Sequence, residues 1–116
     1  MLMRLPNVAV GKVSEYNMPK ACRTTDAVSV HECGVVPTAD SASADVFIES
    51  LAAHRVTDTN SSHPAVPPAS GCTPHVTTLS SGSPDVFVNG LALARIGDAY
   101  GCGITLTSGA STVSAN

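Results

Sequence analysis

Bulky side chains and charge are both scarce in this sequence. Its 116 residues include two Phe, two Tyr and no Trp, and 13% are charged. With 43% hydrophobic residues drawn largely from Ala and Val, the core has to be built from small and β-branched side chains, whose yield per residue is modest. Six Lys and Arg against nine Asp and Glu cannot form a phosphate-tracking patch, which excludes nucleic-acid binding by charge. The low charge also excludes a highly charged disordered tail. No run approaches the roughly 20 apolar residues of a membrane span. The first residues lack the apolar stretch of a secretory signal. These absences predict a chain folded in a cytoplasm and carried outward, if at all, by other machinery.

What the chain has is repetition. Arg-x-Thr/Gly-Asp occurs as Arg23-Thr24-Thr25-Asp26, Arg55-Val56-Thr57-Asp58 and Arg95-Ile96-Gly97-Asp98, with spacings of 32 and 40 residues. A second phrase precedes the later two, running Ser43 to Ala53 and Ser83 to Leu93, and a worn version closes the chain from Ser111 to Asn116. Such self-similarity marks a repeated structural unit. In the best copy, Val86-Phe87-Val88 is a strand, Asn89-Gly90 is a type I′ turn signal and Leu91 begins the return, so Val88 should face Leu91. The first copy has Glu49-Ser50 at the turn. Neither residue favours positive φ, which predicts a different or looser turn there. The third copy stops at Asn116, where its turn should begin, and Pro19 to Arg23 supplies the missing return strand. The last strand is therefore expected to pair with the first and close a ring of three hairpins, with Asn116 beside Asn17 and Met18.

Irregular excursions follow each Asp, over residues 27–42, 59–82 and 99–109. Proline and glycine in the middle one exclude helix and central strand. The excursions carry His31 and Cys33, then His63, Cys72 and His75, then Cys102. If three hairpins make one face, the excursions converge on the opposite side and bring these six candidate ligands together. Zinc takes four imidazole or thiolate ligands in a tetrahedron when its role is structural. Iron is served by the same ligand types. Loop residues with no shared partner are the bland alternative. His54 lies in a return strand and reads as a surface or strand histidine. Each Arg-Asp pair reads as structural, Asp capping a turn and Arg covering the hairpin face. Gly97 and the Gly101-Cys102-Gly103 run mark sharp bends.

The phrase from Gly82 to Asp98, followed by Cys102-Gly103 and the worn Gly109-x-Ser111-x-Val113, closely resembles the PAAR-repeat family. The naming motif, Pro-Ala-Ala-Arg, appears in altered form as Ala92-Leu93-Ala94-Arg95 and Ala52-Ala53-His54-Arg55. The resemblance covers about residues 18–116 and departs where Thr25 and Thr57 replace the usual glycine. It implies a mainly β, cone-shaped domain whose loops converge on a metal-pinned apex, behind a short extension of residues 1–17. It further implies a non-enzymatic tip on a trimeric β-helix spike, either a VgrG-like spike of a type VI secretion system or a phage central spike. The apex would meet the target cell envelope. The metal is typically zinc held by three His and one Cys, which carries over to His31, His63, His75 and Cys102, with Cys72 and Cys33 as competing ligands. The short extension favours a bare tip over an effector carrier. Two alternatives are a small metal-dependent hydrolase using Glu32 as base, and a disulfide-stapled secreted domain.

Overall fold

The computed structural model describes residues 8–10, 18–30, 35–65 and 73–116. Among these residues there is no helix. The strands are short: β1 (Val8–Val10), β2 (Phe47–Ile48), β3 (Leu51–Ala52), β4 (His63–Ala65), β5 (Thr73–His75), β6 (Val86–Val88) and β7 (Leu91–Ala92). β2 pairs with β3 and β6 with β7, both antiparallel, with Val88 opposite Leu91 as the turn signal predicts. The ring also closes. Ala21 N–H donates to the Val113 carbonyl at 3.0 Å, Ala115 N–H donates to the Pro19 carbonyl at 3.1 Å, and Lys20 pairs with Ser114. Asn17 lies outside the described residues.

The three units are related residue by residue about an approximate threefold axis. Val46, Val86 and Val113 each accept from the N–H of the facing return strand, at Ala53, Leu93 and Ala21. Those six side chains, with Ile48, Val88 and Ala115 at a third equivalent position, make up nearly all of the lower core. No aromatic ring enters it, in keeping with the composition. One step along the axis, a cyclic set of main-chain bonds ties the units together. Cys22 N–H donates to Ala94, Ala94 to His54 and His54 to Cys22, at 2.9, 2.9 and 3.1 Å.

Beyond the ring, each Arg-Asp pair closes its own turn. Asp26, Asp58 and Asp98 each accept from the backbone N–H and the guanidinium of Arg23, Arg55 and Arg95 at 2.7 to 3.1 Å. The structural role expected of these pairs is the one observed. The bend forces a left-handed residue before each Asp, with φ of 73° at Thr25, 80° at Thr57 and 95° at Gly97. Threonine is strained there because its Cβ crowds the carbonyl oxygen. Thr57 is exposed, so replacing it discards little packing. Thr57→Gly is therefore expected to stabilise the fold by about 1 kcal/mol, read from the urea midpoint.

The first hairpin corrects the sequence reading. Glu49 and Ser50 take φ of 51° and 70°, matching Asn89 at 53° and Gly90 at 78°. The turn is the same, and tertiary partners hold it. Glu49 Oε1 accepts from Arg23 Nη1 and Ser111 N–H at 3.1 Å, while Oε2 accepts from Thr112 N–H at 2.7 Å and its hydroxyl at 2.6 Å. Asn89 does the equivalent for the next unit, reaching Asp45 at 2.9 Å, and Asn116 reaches Asp85 at 2.6 Å. Each turn thus clasps the start of a neighbouring hairpin.

Donation by the Thr112 hydroxyl and the Ser111 and Thr112 amides, with the Arg23 charge, holds the Glu49 carboxyl down at about 2. Its folded pKa lies below an unfolded value of about 4.3, so the stability it contributes is present above that value and is lost as pH falls toward 2. The melting-temperature gap between the parent and Glu49→Gln should be full near neutral pH and shrink through this acid window.

β1 was not legible as a strand. It pairs antiparallel with the outer edge of β6, placing Val8, Ala9 and Val10 opposite Val88, Phe87 and Val86 and making a sheet of order β1-β6-β7.

Candidate metal centre

The excursions are laced to one another by the same threefold logic. Ala39, Leu79 and Leu106 each accept from the left-handed residue (Thr25, Thr57 and Gly97) and donate to the carbonyl of the Asp that follows it, at 2.8 to 3.0 Å. Ser41, Ser81 and Ser108 reach Asp58, Asp98 and Asp26 at 3.1 to 3.3 Å and accept from Thr59, Ala99 and Ala27 N–H. One layer further, Ser29, Ser61 and Gly101 N–H donate to Thr105, Thr38 and Thr78 carbonyls at 2.8 to 3.0 Å. The three excursions therefore do converge, and what they carry beyond this layer is held together.

β4 and β5 form a two-stranded ribbon that places His63 opposite His75 and Pro64 opposite Pro74. The ribbon tolerates these prolines, since among the described residues neither strand has neighbours on both sides. Directly opposed residues project to the same face. The His63 and His75 Nε2 atoms accordingly approach to 2.8 Å, with the rings edge to face at 80°. His63 is buried at 1% exposure, and its Nδ1 lies 2.8 Å from the Ser61 carbonyl. Donation to that carbonyl leaves the lone pair on Nε2, the tautomer a metal requires. Cys102 Sγ lies 4.0 Å from the same Nε2. The ligand atoms of His63, His75 and Cys102 all fall within 4.8 Å of one another. Two imidazoles and a thiol this close together are a donor set that could hold a metal ion such as zinc or iron.

Sequence reasoning missed the groups that orient Cys102. Asn60, fully buried, donates from Nδ2 to Thr77 Oγ1 at 2.8 Å and accepts Thr77 N–H at 2.9 Å. Thr77 Oγ1 in turn lies within hydrogen-bonding distance of Cys102 Sγ, at 3.1 Å. The available signal was the repeat itself: Asn60 is the polar member of a position that is otherwise Val28 and Tyr100. His31, Cys33, Cys72 and Glu32 lie outside the described residues.

His54 is not the surface histidine that the sequence suggested. It sits on the axis with 0% exposure, Nδ1 2.7 Å from the Ser41 carbonyl and Nε2 2.8 Å from the Tyr100 hydroxyl. Burial lowers its pKa and keeps it neutral, donating through Nδ1 and accepting the tyrosine proton at Nε2. Its neighbour in the ring, Cys22, is a free thiol 3.1 Å from the Ser108 carbonyl, and burial raises its pKa. Neither Cys22 nor Cys102 is in a disulfide.

A single chain folded as three pseudo-equivalent hairpin units, drawn by its loops toward a His-His-Cys cluster that could hold a metal ion, defines a small pseudo-threefold β protein. The model of the PAAR motif matches residues 26–108, and the chain belongs to that family. A search of curated proteins gave no match. The family is one of structural spike-tip proteins with bound metal.

Proposed function

We propose that this chain is the tip of a contractile injection machine. It would cap the blunt end of a trimeric β-helix spike with its hairpin base and present a metal-pinned apex to the target cell envelope. The observation that carries this reading is the threefold equivalence of β2, β6 and residues 113–115, because one chain with three matching faces can engage all three subunits of a symmetric partner at once. Its role is mechanical and not catalytic: a rigid point concentrates force on a small area of membrane.

Charge is partitioned in the same sense. Among the described residues, the excursion segments 27–30, 35–39, 59–65, 73–80 and 99–107 contain no Lys, Arg, Asp or Glu. Val30, Val35, Val36 and Val76 are each about half exposed there. Across 27–39, 59–80 and 99–107 the single charged residue is Glu32, so such an apex would enter lipid at a low cost of desolvating ions. His63, His75 and Cys102 would hold the ion, with His31 as the fourth ligand. Zinc in a closed tetrahedral site supplies no redox chemistry and needs no water position. The protein would be assembled in the bacterial cytoplasm and leave in a virion tail spike or through a type VI machine.

The test is co-expression with a trimeric β-helix spike protein, followed by native mass spectrometry and elemental analysis. The expected species has one chain per spike trimer and one zinc per chain. Iron in its place would reassign the metal, and three chains per trimer would overturn the capping geometry.

A further inference from the structure

The base has equivalent outer edges, and the chain itself fills one of them. In the β6–β7 hairpin the Val88–Leu91 pair flanks the turn, so Phe87 opposite Ala92 occupies a non-hydrogen-bonded site. Its N–H and C=O therefore point away from β7, where Ala9 of β1 lies directly opposite. β2 has the identical register, Ile48 opposite Leu51 and Phe47 opposite Ala52. Phe47 must then turn its N–H and C=O outward in the same way. Among the described residues no strand lies against that edge. Phe47 is 51% exposed, whereas Phe87, beside β1, is partly buried.

We infer that the outer edge of β2 at Phe47 is a strand-docking site for an extended segment of the spike, and that β1 is a placeholder on the matching edge of β6 that the spike displaces. The inference rests on the spike-tip reading for the identity of the donor, and on the observed β1–β6 pairing for the chemistry. An open edge is a template for an added strand, and β1 shows that this base accepts one. A threefold partner presents three copies of one segment, so it needs the β6 edge as well as the β2 edge. A three-residue pairing such as β1 is marginal by itself and yields readily to a longer donor.

Backbone amide exchange in the full chain tests both parts. A synthetic peptide of residues 5–13, added in excess, should slow exchange at the Phe47 amide by about tenfold or more by pairing with its edge. Unchanged exchange at Phe47 would overturn the docking site, whatever the spike does. In the complex with a trimeric β-helix spike, the Phe47 amide should again be protected. If a complex forms and Phe47 still exchanges at its free rate, the edge proposal fails and the spike-tip reading stands; if no complex forms while the peptide protects Phe47, the reverse holds. Ala9→Pro removes the N–H that β1 presents to Phe87 and should speed spike association while raising Phe87 exchange in the free chain. Slower association by this variant would refute the placeholder.

Discussion

Replacing His63 with alanine is expected to release the bound metal and lower the melting temperature by well over about 10 °C. His63 is the most buried member of the cluster, and its Nε2 is the atom nearest both His75 and Cys102. Closed structural zinc sites contribute on the order of 10 kcal/mol at neutral pH. The excursions have little apolar core of their own beyond Val28, Leu79, Tyr100, Ile104 and Leu106, so an ion held by the cluster would contribute much of their order. Elemental analysis and calorimetry with and without chelator read the effect. The parent should melt like the variant once stripped of metal. Spike binding should survive, because the base lies several hydrogen-bonded layers from the cluster. An unchanged melting curve together with lost binding would contradict the assignment of roles.

Asp58→Ala is the second large effect, at about 3–5 kcal/mol. The carboxylate accepts from Arg55 N–H at 2.9 Å, Nε at 2.8 Å and Nη2 at 3.1 Å, and from Ser41 Oγ at 3.1 Å. Alanine leaves the Arg55 backbone N–H, Nε and Nη2 without their acceptor, with only Nη1 still bonded to Asn89 at 3.0 Å, and removes the cap from a bend that already carries a left-handed threonine. Asp58→Asn keeps an acceptor but loses the charge and should fall between the two. Urea denaturation of the three proteins orders them, and equal midpoints for Asp58→Ala and the parent would show the pair to be dispensable.

How much of this was legible in the sequence depended on where the determining contacts lie. The β6–β7 register was readable from Val86 to Leu91 because Asn89-Gly90 fixes a two-residue turn locally. Ring closure was readable because the worn copy ends at Asn116, where a partner strand is needed and Pro19 to Arg23 is at hand. The turn at Glu49-Ser50 was misread because its conformation is imposed from elsewhere, by Arg23, Ser111 and Thr112, against local preference. His54 was misjudged for a similar reason. Its position in the repeat was clear, but the buried hydroxyl of Tyr100 that satisfies it comes from another unit 46 residues away. At the candidate metal centre, the convergence of His63, His75 and Cys102 was legible from the repeat. The Asn60–Thr77 support did not, since neither residue type signals metal. β1 had no local signature, because three small apolar residues find a partner only once the β6 edge exists.

The main-chain ring at Cys22, His54 and Ala94 bears on how such a chain diverges after duplication. Its three bonds involve peptide groups alone, so the ring itself limits the side chains at those positions by their combined volume, and His54 is held further by Ser41 and Tyr100. Here the bulk belongs to one copy, where a histidine leans on Tyr100, and the other two copies stay small. Homologues that shift the large residue to another copy should show compensating shrinkage at the remaining two, and a matching exchange at the position shared by Val28, Asn60 and Tyr100. These sites should therefore covary across the family as a linked set.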